Sequence, residues 1–254
     1  MKISIRGFFG CLLLLCCGKG FSQMPNAAQQ NDWEFVVAPY LFMASVNGDA
    51  ALGNSASSQV DLNFKDILEK LQFAFMLHGE VYKGDWGLLV DISYLKLGED
   101  FKAESEVSGD ITFKQTIFEV FGSRKFKKRW GWVDFYGGIR YWNLGLNLNL
   151  QGLDITRISR DQDWVDPVFG GRIYFNVTER FTAGFRGDIG GFGLGSDIAY
   201  NLQPGVGYQF SDLFTVMLQY KYLYTRYDNE IDGINAFSYD AATNGPLLGL
   251  VFRF

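Results

Sequence analysis

The last ten residues constrain the fold more than any others in the chain. Gly245-Pro246-Leu247-Leu248-Gly249-Leu250-Val251-Phe252-Arg253-Phe254 places Leu248, Leu250, Phe252 and Phe254 on one face of an extended strand. Gly249, Val251 and Arg253 fall on the other face. A terminal strand that is apolar on alternate positions has a whole hydrogen-bonding edge to satisfy. Pairing that edge with the first strand closes the sheet into a barrel.

The opening segment has a different character. Met1-Lys2-Ile3-Ser4-Ile5-Arg6 is basic, and Phe8 to Cys17 is an apolar run too short to cross a bilayer as a helix. Gly20-Phe21-Ser22 supplies small residues for a signal peptidase, so residues 1–22 read as a signal peptide cleaved before Gln23. Leu15 and Cys16 are poor neighbours for the alternative, a lipoprotein signal. Cys11, Cys16 and Cys17 all lie in this segment, so the exported chain has no disulfide or thiolate metal site. It keeps 20 basic side chains against 28 acidic ones, which argues against nucleic acid as a partner. Aromatic residues make up 17% of the chain and 30 residues are Gly, with no apolar run long enough for a helical span. Hydrophobicity spread over alternate positions has this profile.

After a short periplasmic tail, 23–32, alternation recurs over 33–45, 72–83, 86–97, 111–124, 131–144, 165–177, 180–190, 197–210, 213–226 and 245–254. Each stretch suits the roughly 9–11 residues of a tilted membrane strand. The connections at 83–85, 126–129, 177–179 and 211–212 are short. Those at 46–71, 98–110, 151–164 and 227–244 are long, and 190–196 is short and glycine-rich. The fold class expected is therefore all-β: a transmembrane antiparallel up-and-down barrel of about ten strands over 33–254. Short periplasmic turns and long extracellular loops follow from the alternation. Trp33, Trp86, Trp130 and Trp132 then sit beside the periplasmic ends, at the depth aromatic belts occupy.

Three segments depart from simple alternation. Pro39 and Pro204 fall inside strands, where each removes a ladder donor, so bulges or bends are expected there. Leu144 to Leu150 alternates beyond the length a membrane needs and extends its strand outward. Phe64, Ile67, Leu68 and Leu71 have helical spacing, which predicts a short helix near 64–71 in the first external loop. Its apolar side is available to pack on the rim or plug the mouth.

Parity assigns a charged network to the lumen: Glu34, His78, Glu80, Asp91, Glu119, Asp134, Arg140, Asp166, Arg172, Arg186, Asp188, Lys221 and Arg253. An Arg or Lys facing hydrocarbon at mid-membrane costs about 2–4 kcal/mol, which drives such residues inward. Mixed signs in a narrow interior favour ion pairing. The alternative use of the same residues is a hydrophilic passage with charge selectivity.

Little points to chemistry. His78, the one histidine, shares a face with Glu80 but falls mid-strand, away from the rim where substrates arrive. One histidine leaves no multi-His metal site, and no cofactor motif is present. The 190–196 stretch lacks the lysine of a phosphate loop. Glu99, Asp100, Glu104, Glu106 and Asp110 make one external loop acidic, and Asp228, Glu230, Asp232 and Asp240 another. Solvation accounts for such runs more simply than divalent cations bridging to lipopolysaccharide.

Several stretches resemble a largely uncharacterised family of bacterial outer-membrane β-barrel proteins. They are Asp163-Trp164-Val165-Asp166-Pro167-Val168-Phe169-Gly170-Gly171-Arg172, the segment from Arg186-Gly187-Asp188-Ile189-Gly190-Gly191-Phe192 to Gly193-Leu194-Gly195-Ser196-Asp197, and Gly245-Pro246-Leu247-Leu248-Gly249. Trp33, Pro39-Tyr40 and Asp66-Ile67-Leu68 match the family's usual opening. The resemblance implies an outer-membrane location and a barrel fold, and carries over no catalytic residue. Arg172, Asp188 and Asp166 lie in its motifs and are expected to form one interior ion-pair cluster. Phe254 is expected to act as the assembly signal read by the barrel-assembly machinery. The function expected is a non-enzymatic structural barrel or narrow porin-like channel in contact with outer-membrane lipids and lipopolysaccharide. The alternatives are a barrel protease or lipid-modifying hydrolase, and an adhesin or receptor acting through its loops. The sequence does not assign an oligomeric partner.

Overall fold

The computed structural model describes residues 33–53, 58–102, 108–151 and 157–254. The expected signal segment, the tail that follows it, the three cysteines, Glu104 and Glu106 lie outside the described residues. The strands are β1 (Trp33–Phe42), β2 (Ser45–Leu52), β3 (Ser58–Leu62), β4 (Leu71–Lys83), β5 (Trp86–Lys102) and β6 (Ser108–Lys128). They continue as β7 (Gly131–Gln151), β8 (Arg157–Asn176), β9 (Phe181–Gly191), β10 (Ile198–Gln209), β11 (Phe214–Asp228) and β12 (Phe237–Arg253). One helix, α1 (Phe64–Lys70), stands between β3 and β4.

Ten of these strands close an antiparallel barrel in the order β1, β4 to β12, and back to β1, with β2 and β3 added beside β12. The seam is the β1–β12 ladder, where Val36 faces Arg253 and Phe42 faces Leu247. Phe35 and Phe254 exchange two backbone bonds of 3.1 and 2.9 Å at its lower end. An exposed apolar belt surrounds the cylinder, with Phe73, Phe75, Phe135, Ile139, Phe169, Leu218 and Leu250 all facing outward. This is the architecture of outer-membrane β-barrels.

β1 and β2 act as one strand. Val36↔Arg253 and Val46↔Thr243 belong to the same register on β12, and the Met43 N–H bonds the Pro246 carbonyl at 2.9 Å across the break. The chain then descends through β3, pauses for α1, and resumes as β4. The helix starts on a capping box: Asn63 accepts from the backbone N–H groups of Lys65 and Asp66, and Asp66 accepts from that of Asn63. Ile67 is its buried residue and packs with Ala44 and Leu97, while Leu68 stays exposed. The expected helix is thus present, placed as a section of wall between β3 and β5.

The long external links are mostly strand. β5 and β6 remain paired from Trp86↔Arg124 to Lys102↔Ser108, and β7 and β8 from Gly131↔Phe175 to Asn149↔Arg157. β11 and β12 stay paired up to Asp228↔Ser238. The expected loops 98–110, 151–164 and 227–244 shorten accordingly, and 46–71 becomes a hairpin and a helix. Leu144 to Leu150 does extend its strand outward. The prolines produce no bulge. Pro39 keeps its pairing with Leu77 and Pro204 with Phe185, and the registers on either side are unshifted. Trp33, Trp86 and Trp130 are exposed at the short-turn end. Trp132 is corrected: it shares parity with Asp134, faces the lumen and stacks on Tyr174 at 4.7 Å.

Candidate functional site

The barrel interior carries two polar clusters and, above them, an apolar cup. The lower cluster gathers at the short-turn end. Arg172 on β8 reaches across the lumen to Glu80 on β4, at 2.5 Å, and sideways to its register partner Asp134 on the adjacent β7, also at 2.5 Å. Its Nη2 also donates to the Tyr82 hydroxyl, which donates in turn to Asp134 at 2.8 Å. His78 lies between two carboxylates, with Nε2 2.9 Å from Glu80 and Nδ1 3.0 Å from Asp91. The Tyr40 hydroxyl donates to the same Asp91 at 2.8 Å. Lys125 stands 3.8 Å from Glu34 and 3.9 Å from Glu80, and Glu34 also receives Lys127 at 3.1 Å and Arg253 at 3.5 Å.

The second cluster fills the middle of the barrel. Arg140 on β7 donates from Nε to Glu119 at 2.6 Å and from Nη2 to Asp188 at 2.7 Å. Arg186 on β9 joins the same two carboxylates, at 2.9 Å to Glu119 and 3.5 Å to Asp188. Tyr136 and Asn201 donate to Asp188 at 2.8 and 3.0 Å. Arg140 is fully buried, and so are Asp134, Asp166 and Asn201. Two guanidinium groups bridging two carboxylates supply most of the hydrogen bonds these buried charges require, although Arg140 Nη1 has no partner among the described residues.

The expected single cluster of Arg172, Asp188 and Asp166 does not form. Asp166 and Arg172 are six residues apart on one strand, about 20 Å at 3.3 Å per residue. Arg172 joins the lower cluster and Asp188 the middle one. Asp166 pairs with no cation among the described residues. It accepts from the Ser196 backbone N–H at 2.6 Å and from its hydroxyl at 2.9 Å, tying the β9–β10 turn to β8. Lys221 lines the lower cavity with no carboxylate within 4.0 Å among the described residues; its Nζ lies 5.6 Å from the centre of the Phe42 ring.

Above Arg140 the inward row changes character with no change in register. Trp142 follows Arg140 on the same face, then Leu144 and Leu146. Trp164 follows Asp166 on β8, Ile117 and Phe113 follow Glu119 on β6, and Leu95 and Leu97 follow Asp91 on β5. The outward row changes the opposite way, to Lys96, Lys114, Asn147 and Asp161. The lower cylinder is apolar outside and charged inside; the upper one is polar outside and apolar inside. Tyr94, Tyr141 and Tyr222 lie on the outer face at the change.

A slab of rings lies at this boundary. Trp142 stacks on Trp164 at 5.5 Å and 11°, and Trp164 on Tyr227 at 4.1 Å and 8°. The indole N–H of Trp164 donates to Ser196 at 2.8 Å, and Gln162 donates to the Tyr227 hydroxyl at 3.0 Å. Below the slab is a cavity of about 300 Å³ reached by His78, Arg172 and Lys221. Above it is one of about 810 Å³, lined by β2, β3, α1 and the outer ends of β5 to β8 and β12. The two cavities have no lining residue in common.

The parity reading named most of the charged groups but missed Lys125, Tyr82, Tyr136, Asn201 and the whole apolar upper row. Lys125 was legible as a continuation of the Glu119 face, three alternate residues further along β6. The upper row was legible too, since Leu144, Leu146 and Leu148 share parity with Arg140 and oppose that of Ile139.

No protein-family model matches the chain, and neither does any curated protein. Solved structures do match in outline. Ail, the attachment invasion locus protein of Yersinia pestis, solved with the heparin analogue sucrose octasulfate, aligns at 12% identity over 87% of this chain and 98% of its own, with a TM-score of 0.37. The translocator domain of the autotransporter NalP from Neisseria meningitidis aligns at 11% identity over 89% and 90%, with a TM-score of 0.42. Neisserial surface protein A aligns at 14% identity over 87% and 97%, with a TM-score of 0.31.

Proposed function

We propose that this protein is an integral outer-membrane barrel whose lumen is sealed at mid-height, a structural and non-enzymatic element that does not conduct. The observation that carries this reading is the layer formed by Arg140, its two carboxylates and the Trp142–Trp164 stack. These side chains are all buried, and the two cavities on either side of them share no lining residue. An eight-stranded barrel is just filled by its side chains, and ten strands widen it little. The apolar belt supports a bilayer location with outer-membrane lipid and lipopolysaccharide as neighbours, and Phe254 at the seam supports recognition by the barrel-assembly machinery. Both ring nitrogens of His78 are held by carboxylates, which favours a positioned lumen residue over a catalytic base.

The test is planar-bilayer recording of the full chain purified from membranes. The expected result is a silent bilayer. Steady, ohmic unit steps from the native protein overturn the sealed-lumen reading, and recovery outside the outer-membrane fraction of a density gradient overturns the location.

A further inference from the structure

The upper cavity is built like a ligand site. Its volume, about 810 Å³, lies within the roughly 300–1,000 Å³ of small-molecule pockets. Its walls are chiefly apolar: Val60 on β3, Ile67 on α1, Leu95 on β5, Phe113 on β6, Leu146 on β7 and Phe237 on β12 all line it. A cup raised above a membrane gains nothing from an apolar interior unless something apolar fills it, because that surface is otherwise left to water. The mouth shows the same mismatch. Ile231 and Ile234 line the cavity yet are 52% and 68% exposed.

The polar groups of the lining define one end of the occupant. Lys70 lines the cavity but already pairs with Glu99. Arg160, on the inward row of β8, has no carboxylate partner among the described residues; its guanidinium makes a 3.3 Å bond to the Ser159 carbonyl. Asp161 also lines the cavity but belongs to the outward row, so among the described residues Arg160 is the lining cation without a carboxylate partner; beside a wide apolar wall it matches a single negative charge on an apolar body. Leu144 and Tyr239 line the cavity and pack in one buried cluster with Trp142, Trp164 and Tyr227, so the chain of such a molecule is stopped above the ion-paired layer.

We propose that the cup binds a long-chain carboxylate, with the alkyl chain against Leu95, Phe113 and Leu146 and the head group at Arg160. The apolar wall and Arg160 lie above the core layer, so binding there stands whether or not the core conducts; only the closed floor rests on that reading.

The test is photo-crosslinking of the full chain in phospholipid nanodiscs with a diazirine-bearing palmitate, with the neutral hexadecanol analogue as a parallel probe. Labelled peptides are mapped by mass spectrometry. The expected result is saturable palmitate labelling within 58–67, 95–97 and 144–146. Arg160→Gln is expected to lower palmitate labelling about tenfold and leave hexadecanol labelling unchanged, as loss of one charge-assisted bond requires. Val60→Glu, on the outermost strand of the β2–β3 hairpin, is expected to reduce labelling by both probes. Both variants are first shown by gel mobility to retain the folded barrel. Labelling confined to the outer belt at Phe73, Phe135 and Phe169 is partition into lipid and overturns the site. Equal response of both probes to Arg160→Gln, or displacement of palmitate by hexadecyl phosphate more effectively than by unlabelled palmitate, overturns the carboxylate assignment.

Discussion

The ring of Trp164 lies 4.1 Å from that of Tyr227 and almost parallel to it, although β9 and β10 separate their strands in the sheet. The contact exists because β9 stops at Gly191 and β10 begins at Ile198, while β8 and β11 run on above them. The wall has a notch, and aromatic stacking fills it. Trp164→Ala removes the stack and the bond to Ser196, at a cost of about 3–5 kcal/mol. Trp164→Phe keeps one stacked ring and loses the N–H with part of the indole surface, a smaller cost of about 1–3 kcal/mol. Urea unfolding of the two variants in detergent checks the ordering.

Arg140 bridges Glu119 and Asp188 at the centre of the middle cluster. Arg140→Met leaves Glu119 and Asp188 to Arg186 alone, and breaking a buried pair this way costs about 3–5 kcal/mol. Arg140→Ala combined with Trp142→Ala also removes bulk from the cross-section. That double variant is expected to show unit conductance in bilayers, and the native chain none.

The separation of Asp166 from the cation clusters is measurable by double-mutant cycles. Asp166→Asn combined with Arg172→Met is expected to be additive within about 0.5 kcal/mol. Glu80→Gln combined with Arg172→Met is expected to couple by about 1.5 kcal/mol or more, since the pair is in direct contact. A large coupling in the first cycle contradicts the geometry described above.

The β9–β10 turn contains two glycines with opposite tolerance. Gly191 has φ +87°, and a methyl group there meets the Ser196 carbonyl oxygen at 2.4 Å. Gly193 has φ +72° but faces open space. Gly191→Ala is expected to cost about 3 kcal/mol or more, and Gly193→Ala only the left-handed penalty of about 1–2 kcal/mol. Thermal or urea unfolding compares them directly.

Removing Phe254 deletes the two backbone bonds to Phe35, each contributing about 0.5–1.5 kcal/mol. Refolding in vitro is therefore expected to survive the deletion with a modest loss of stability. Membrane yield in cells is expected to fall several-fold if the residue is read during assembly. Equal losses in the two settings reduce Phe254 to a strand end.

Alternation made the barrel legible because period two is a property of strands, whichever side is oily. It is blind to which side that is. On β7, Ile139 and Leu144 both read as apolar members of one pattern, yet one faces outward and the other inward. The distinction lies in phase, and phase shows only when the apolar positions are counted from Arg140 onward. The partners of Arg172 were hidden for a different reason. Parity says that a side chain enters the lumen, while the choice among Glu80, Asp134 and Asp188 depends on barrel tilt and on the reach of the guanidinium. Strand ends were misplaced outward of the membrane because Glu99, Asp110 and Asp161 look like loop residues until pairing partners are known.

The continuous register of β1 and β2 along β12 has a kinetic consequence. Val36 meets Arg253 and Leu52 meets Phe237, so the closing ladder joins segments from opposite ends of the described chain. Every other ladder of the barrel is made by neighbours in sequence or by β1 with β4. Those can zip progressively, whereas the seam must recruit a partner across the largest separation in the polypeptide. Sealing is therefore the slow, late event of maturation, and a fragment lacking either margin remains an open ribbon with two reactive borders.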